Sequence, residues 1–567
     1  MTADDMLKNI DTSLYANRWI AVVHERVVGV GLTAAQAHRA AMQIRAKDKP
    51  HLFFVDETGQ VNRPSTSPPQ IESWLNQHPL LPTVRQILQR HHLEAYLVGG
   101  AVRDLLLARE KIIDLDMAGP QNGLTAAKIV ANALGAAYYP LDSERGTGRV
   151  VYELDTPTGV EKNHLDIATF RGPTLATDLA DRDFTINAIA LRLSDPPELI
   201  DPLQGQHDLR LGIVRAAAET TFVHDPIRIL RAVRQASELN FAIEPHTEQL
   251  LQAAVTELPT VSPERQRDEL LKLLNSPQPG AALHRLHRLA VLPHLLPEVA
   301  ALVGVTQSPP HHLDVFDHTT KALTVWAGWV QAGFPPLPTE LRAGLEMYLA
   351  ERVAGELTIQ TLLPLAILLH DTGKALTRQE EQTTDGSRIR FLGHEQKSAE
   401  IAQAVLHRFR LSGQATSFVK TVVAQHMRPL SLAQAGKVSR RAIYRFYRDC
   451  QARGTAAGVA VVLHAWVDHL ATYPDNEGEA AGQTLQTVVK TLLTAYFSRP
   501  AEMIDPPPLL TGHDLITMLN LTEGPLIGML LDRLKEAQAT GQVNNKAQAV
   551  AFIEADPDFS QYRDNNA

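Results

Sequence analysis

The stretch YLVGGAVRDLLLAREKIIDLDMAG, residues 96–119, constrains the fold more than any other part of this chain. Its apolar opening reads as a strand that ends on Gly99 and Gly100, and AVRDLLLA reads as a helix that starts at once. A helix N-terminus presents unpaired N–H groups and partial positive charge, and glycines let a phosphate approach that backbone. Arg103, one turn in, adds a fork suited to phosphate. Asp114 and Asp116 follow in KIIDLDMAG, an extended segment in which residues i and i+2 share a face. Two carboxylates side by side repel each other unless a cation sits between them, which predicts one or two Mg2+ ions held by Asp114 and Asp116. A DxD pair alone is a weak signal. Joined to strand, glycines, helix and arginine, it predicts acids that hold metal and a backbone cradle that receives a triphosphate.

Length and composition narrow the class. The chain has 567 residues, a net charge of −9 and a single cysteine, Cys450. An intramolecular disulfide and a cysteine-based zinc site are both excluded, which fits a reducing cytoplasm. No apolar run approaches the roughly 18–20 residues that span a bilayer, and MTADDMLKNI lacks the pattern of a secretory signal. A cytoplasmic protein without membrane partners is expected.

Residues 18–55 read as two strands around a turn at His24–Glu25, a helix capped by Thr33 and a returning strand. Gly29, Gly31 and Ala34 match GxGxxA, but a hairpin precedes them where a dinucleotide site needs a parallel βαβ unit. QVNRPSTSPPQ is rich in proline and small polar residues, as linkers are. ELIDPLQGQHDLRLGIVRA reads as a hairpin, and the chain beyond it as helical. The expected division is a ββαβ unit (1–60), a linker (61–73), an α/β head (74–200), a helical neck (201–304), a second helical domain (305–475) and a helical C-terminal module (476–567).

Further groups gather around the first site. HLDIATFR is a strand carrying Asp166 and Arg171, and a third acid there is placed to complete the metal site and take the proton of an attacking hydroxyl. DRDFTINAIAL sets Arg182, Asp183 and Asn187 around a helix start, where Asp183 also suits a cap. HDPIRILRAVRQ spaces Asp225, Arg228, Arg231 and Arg234 three apart, a cationic helix stripe suited to an anionic ligand.

LVGGAVRD…DLD, RDFTINAIA and DPIRILRAVR resemble the signature motifs of class II tRNA nucleotidyltransferases and bacterial poly(A) polymerases, over about residues 80–300. The resemblance implies an α+β fold: a DNA polymerase beta-type nucleotidyltransferase head, then mostly α-helical neck, HD and tail domains, with the small ββαβ unit added in front. It implies that Asp114 and Asp116 hold the metals and that Gly99, Gly100, Arg103, Arg171, Arg182, Asp183 and Asn187 surround the nucleotide. Asp225 and Arg228 match the pair that reads the base edge, and Arg231 and Arg234 its neighbouring contacts. The implied partners are CTP, with ATP as an alternative, and a tRNA lacking its 3′ CCA end. Asp181 stands where the family has the first of two arginines. Between ATFR and the following DL this chain has only GPTLAT, whereas members that add the whole CCA end carry a longer flexible loop there. The short segment favours addition of CC over full CCA addition or poly(A) synthesis.

A second set of residues resembles the HD phosphohydrolases: His318, His370–Asp371, His394, His426 and Asp468, in order. Such a set implies a further divalent metal and a phosphohydrolase, alone or beside a head that senses nucleotide. Finally, residues 407–448 hold nine Lys/Arg and no acid. Lys437, Arg440, Arg441, Arg445 and Arg448, interleaved with Tyr444, Phe446 and Tyr447, are candidates for RNA contact. The tail LLTGHDLITMLNLTEGPLIGMLLDRLKEAQATG resembles the C-terminal module of HD-containing members.

Overall fold

The computed structural model describes Leu7 and residues 10–15, 18–31, 34–44, 50–55, 61–62, 71–109, 112, 114–156, 159–194, 196–334, 337–383, 386–436, 438–473 and 479–566. The chain divides into two units, Met1–Val261 and Ser262–Ala567. That division falls inside the stretch 201–304, which the sequence reading keeps as one domain.

The first unit opens with β1 (Arg18–Val23), β2 (Arg26–Gly31), the helix Ala34–Ile44, β3 (His51–Val55) and β4 (Val61–Asn62), in sheet order β2-β1-β3-β4. His24 and Glu25 form the two-residue hairpin turn, both at positive φ, as the twist of such turns requires. Ala21 packs with Ala37 and Ala41 of the helix, and Ile20, Val22, Phe53 and Val55 form a core on the opposite face. A Cβ on Gly29 would lie 2.1 Å from the Ala37 carbonyl oxygen and 2.6 Å from the Ala41 nitrogen. The glycine therefore serves a strand pressed against a helix. The expected linker also shortens: Val61 pairs with Val55 and Asn62 with Phe54, and Ile71–Gln77 is helical. The proposed Thr33 cap lies outside the described residues.

The head is a seven-stranded sheet of β5 (Tyr96–Val98), β6 (Leu115–Gly119), β7 (Ala137–Asp142), β8 (Thr147–Thr156), β9 (Gly159–Thr169), β10 (Ala190–Arg192) and β11 (Glu198–Ile200), in the order β11-β10-β5-β6-β9-β8-β7. Only β6 and β9 run parallel. Their crossover includes the helix Gly123–Leu134, capped by the Asn122 side chain on the Thr125 N–H and ended by left-handed Gly135. One face of the sheet is apolar, with Leu115, Met117, Leu165 and Ile167 buried, and Gly148 lets β8 meet Ala127 of that helix. On the other face cross-strand partners line up as Tyr139, Arg149, Asp166, Asp116, Val98, Ala190 and Ile200.

The hairpin expected over residues 198–216 is not formed. A helix, Gly205–Leu211, follows β11, because Asp201 accepts from the N–H groups of Gly205 at 2.7 Å and Gln206 at 2.9 Å and so starts a turn there. The strand Ile213–Val214 pairs in parallel with Ala242–Ile243 instead.

The second unit is helical apart from short strands. The hairpin of Arg378–Thr383 with Gly386–Phe391 departs from the expectation of helix throughout. Its first strand, RQEEQT, is polar throughout, and the second alternates only Ile389 and Phe391 with arginines, a period of two too short to announce a strand. The tail helices Gly512–Leu519, Pro525–Ala539 and Lys546–Glu554 enclose their own core around Leu515, Leu530, Leu534 and Ile553. Among the described residues no helix is long and apolar enough to cross a membrane.

Candidate active site

The first site begins where β5 ends. Gly99 has φ +74, a conformation that a side chain strains. A Cβ there would approach Asp116 Oδ2 at 3.4 Å and Arg182 Nη1 at 3.5 Å. The glycine, the second acid and the arginine thus converge on one point at the start of the helix Gly100–Leu106. Arg103 lies over Gly100, its guanidinium 3.4 Å from where a Cβ would sit.

Asp114 precedes β6 and is exposed; Asp116 lies within β6 with its side chain also reached by water. Asp116 nevertheless sits in a recess with protein on several sides. That surrounding protein raises its carboxyl above the usual range; Arg182 opposes the shift, and Asp166 and Asp114 add to it. Crowded, partly solvated carboxylate oxygens suit a hard divalent cation such as Mg2+. Asp166 behaves differently. Arg149 donates from Nε to one of its oxygens and from Nη2 to the other, both at 2.7 Å. Among the described residues Asp114, Asp116 and Asp166 do not form a group with ligand atoms within 4.8 Å of one another. Asp166 stands opposite Asp116 across β6 and β9, where a third acid of the metal site would lie, and both of its oxygens accept the Arg149 guanidinium.

Behind this face runs a polar chain. Arg103 donates to Asn187 Oδ1 at 2.9 Å, Asn187 donates to Asp183 Oδ1 at 2.9 Å, and Arg231 donates to Asp183 Oδ2 at 2.9 Å. Asp183 is buried and also accepts the Phe184 N–H. Burial works against its ionised form, but Arg231, Asn187 and that N–H hold the carboxyl well below the usual carboxylate range. The cap role considered for Asp183 is not what it does: it joins three elements.

The arginine stripe is also less free than its spacing suggests. Arg228 is buried and donates to the carbonyls of Asp181 at 2.6 Å, Arg182 at 3.3 Å and Thr221 at 3.4 Å. Arg231 is tied to Asp183, and Arg234 pairs with Glu238 at 2.8 Å. Acids do balance the stripe; one comes from another element and one from four residues on. Asp225, partly exposed, ends the helix Thr221–His224, and its carbonyl accepts the Arg228 N–H. Asp181, the departure from the double arginine, lies 3.6 Å from both Arg171 and His224.

The segment that the sequence marks as short is anchored along its length. Thr174 and Thr177 form a capping box on the helix Leu175–Ala180. Buried Asp178 accepts the Arg171 N–H at 3.0 Å and the Arg182 guanidinium at 2.9 Å.

In the second unit His318, His370, Asp371, His394, His426 and Asp468 come together. His370 and Asp371 follow the helix Ile359–Leu369, apolar from Leu362 onward; His394 opens one helix, and His426 closes another. His370, His394 and His426 direct Nδ1 to carbonyls three residues back, at 2.8, 2.8 and 2.7 Å. This arrangement aims Nε2 inward. His318 Nε2 lies 2.7 Å from Asp468. Two groups have ligand atoms within 4.8 Å: His318, His370 and Asp371, and Asp371, His394 and His426. His370 Nε2 lies 3.0 Å from Asp371 Oδ2 and His394 Nε2 3.4 Å from Asp371 Oδ1, buried ion-pair contacts without hydrogen-bond geometry. Burial would lower His370, but Asp371 and Asp468 outweigh it and push the imidazole up to about 10. A proton there offsets the carboxylates, as a divalent cation would, so the donor set fits a metal.

Sequence reasoning missed Lys374, 2.7 Å from Asp371, and His464, buried 4.8 Å in ring separation from His370. The spacing of His464 four before Asp468 on the helix Gly458–Thr472 was the available signal.

The candidate RNA contacts change most. Arg441, Arg445 and Arg448 converge on Glu536 of the tail, and Arg440 pairs with Glu502. Tyr444, Phe446 and Tyr447 are buried, so they cannot stack on bases. The helix Arg440–Asp449 thus docks the tail through its arginines, which remain partly exposed. Lys437 lies outside the described residues.

Comparison with known proteins places these features. Residues 95–215 match the Poly A polymerase head domain, residues 240–302 the probable RNA and SrmB-binding site of polymerase A, and residues 347–461 the HD domain. The chain is 34% identical to the A-adding tRNA nucleotidyltransferase of Deinococcus radiodurans, over 81% of this chain and 95% of that one. It is 33% identical to the CC-adding tRNA nucleotidyltransferase of Thermus thermophilus, over 81% and 93%. A solved CCA-adding enzyme in complex with CTP shares the fold, with a TM-score of 0.54 and 21% identity over 86% of this chain and 98% of that one. The expected polymerase beta-type head and HD domain are therefore the folds present.

Proposed function

The chain belongs to the tRNA nucleotidyltransferases of the CCA-adding family, and from that premise we propose that it adds two CMP residues from CTP to tRNA 3′ ends and stops. The observation that carries this reading is the segment Arg171–Ala180. Its capping box, and the hold of Asp178 on both Arg171 and Arg182, leave no lever beside the nucleotide pocket. A wall of one shape suits one base, and adenine needs another. Arg228 and Asp225 form that wall, the arginine fixed through the carbonyls of Asp181 and Arg182.

In this reading Asp114 and Asp116 would hold Mg2+, which supplies charge neutralisation for the transferred phosphoryl group. Gly99 and Gly100 open the backbone to the triphosphate, and Arg103 and Arg182 neutralise it. Catalysis is then positioning and charge stabilisation. We keep the head at 74–200, the neck at 201–304, the HD domain at 305–475 and the C-terminal module at 476–567 as its working parts.

The test is one gel. A tRNA lacking its 3′ end is incubated with CTP, with ATP, and with both. A product two nucleotides longer in the first and third lanes is expected. A third nucleotide with both substrates would establish full CCA addition, and a long tail with ATP alone would establish a poly(A) polymerase.

The inward-facing imidazole nitrogens gathered around the Asp371 carboxylate favour a second activity, a metal-dependent phosphohydrolase. The two ligand groups share Asp371, which suits one or two divalent cations. Release of phosphate or nucleotide from cyclic phosphate esters should be abolished by a chelator and by His370→Ala, with CMP incorporation by the His370→Ala protein unchanged. No release by the wild-type protein would leave the HD domain a scaffold.

A further inference from the structure

The cluster of acids and imidazoles in the second unit opens into more space than it needs. Asp371, His394, His426 and Asp468 share the wall of a cavity of about 910 Å3. Small-molecule sites span roughly 300–1,000 Å3, so this one has room for far more than a single phosphate.

The cations of that wall are of two kinds. Lys374 is buried and committed: it lies 2.7 Å from Asp371 Oδ2 and donates to Gln307 Oε1 at 2.7 Å. Arg388 and Arg390 are exposed and stand two apart on the strand Gly386–Phe391, so their side chains share a face. Their partners across the hairpin are Glu381 and Gln379, and Glu381 contacts Arg390 Nε at 2.7 Å. One carboxylate for two guanidiniums leaves that face positive. The hairpin is also fixed relative to the cluster. The Ile389 N–H donates to Ser308 Oγ at 2.7 Å, the Phe391 ring lies 5.4 Å from Lys374 Nζ, and the Phe391 carbonyl faces His394 Nδ1 at 2.8 Å. The strand that aims one imidazole thus also presents the arginines. Phe391, Met427, Leu430 and Tyr473 add apolar and aromatic wall, a surface on which a nucleobase packs.

We propose that this cavity takes a nucleotide phosphorylated on both sides of its ribose, with the ester to be hydrolysed at the cluster and the second phosphate on Arg388 and Arg390. A free nucleotide and the last residue of an RNA strand offer the same chemistry. In the reaction a water oxygen bonds to phosphorus, the bond from phosphorus to a ribose oxygen breaks, and that oxygen leaves with a proton of the water. Arg388 and Arg390 select and place the substrate. The inference rests on the phosphohydrolase reading of the second unit and deepens it.

The test uses the full-length protein with Mn2+ and three substrates: adenosine 2′,3′-cyclic phosphate, the same nucleotide with a 5′-phosphate, and a dinucleotide ending in the same cyclic phosphate. The second phosphate should lower KM about tenfold in the last two, the scale of one charge-assisted contact. The double variant Arg388→Gln, Arg390→Gln should erase that gain, and Arg388→Lys with Arg390→Lys should keep part of it. In chelator, calorimetric binding of the 5′-phosphorylated nucleotide should be about tenfold weaker in the glutamine double variant; the head, in the other unit, is the same in both proteins. A gain with the free nucleotide alone, or with the dinucleotide alone, would support the subsite and tell which source it serves. Equal KM for all three substrates would overturn the proposal, as would equal affinity of the wild type and the double variant in chelator. Absence of hydrolysis of every substrate by the wild type would instead remove the phosphohydrolase reading, and the calorimetric comparison would still decide the subsite.

Discussion

CMP incorporation by the double variant Asp114→Ala, Asp116→Ala should fall at least about a thousandfold, because charge stabilisation by a bound metal contributes several kcal/mol and each 1.36 kcal/mol is tenfold in rate. The loss should not come from unfolding. Asp114 is exposed, and the folded environment of Asp116 disfavours its charge, as its raised carboxyl shows. A carboxyl raised on folding destabilises the native state wherever it is ionised. Asp116→Asn should therefore melt no lower than the wild type at pH 7, and tRNA binding should survive. Catalytic loss with equal or higher melting temperature is a signature that a merely structural role would not produce. Undiminished incorporation in the double variant would end the account of the head.

Asp183→Ala should show the opposite pattern. It leaves Arg231 and Asn187 facing a buried gap, and removal of one member of a buried charge pair costs about 3–5 kcal/mol. Chemical denaturation should show this loss, and activity should fall with it because Arg103 and Arg231 lose their common anchor. The pH dependence has a fixed sign. The folded carboxyl is held below its ordinary value of 3.8. Its contribution is thus complete above that value and is lost as pH falls toward the folded value. Between about pH 5 and pH 3 the wild type should lose more stability than Asp183→Asn. Parallel curves would show that the ionised carboxylate contributes nothing.

Much of the head was legible because its signals are local. A strand running into two glycines, a helix behind them and acids two apart each state their own geometry, and β5, β6 and the helix Gly100–Leu106 lie accordingly. The ordered histidines and aspartates of the second unit were legible as a set, since residue type alone carries metal chemistry. What failed depends on distant partners. Arg441, Arg445 and Arg448 looked free because Glu536 lies some ninety residues on, in the tail. Arg228 looked like part of an exposed stripe because nothing in a sequence shows carbonyls closing around a guanidinium. Arg149 carries no motif; only strand register sets it against Asp166. The helix Gly205–Leu211 was missed because a single carboxylate, Asp201, decides it.

The alignment of Asp116, Asp166 and Arg149 across three neighbouring strands ties chemistry to bookkeeping of the backbone. Sliding β9 by one residue would send Asp166 to the far side and bring Leu165 or Ile167 into its place. The greasy residues beneath the sheet forbid that slip, so their fit is a safeguard on the reacting groups above. Insertions can accumulate in the connections between strands, but a single added residue inside β6, β8 or β9 would dismantle the row.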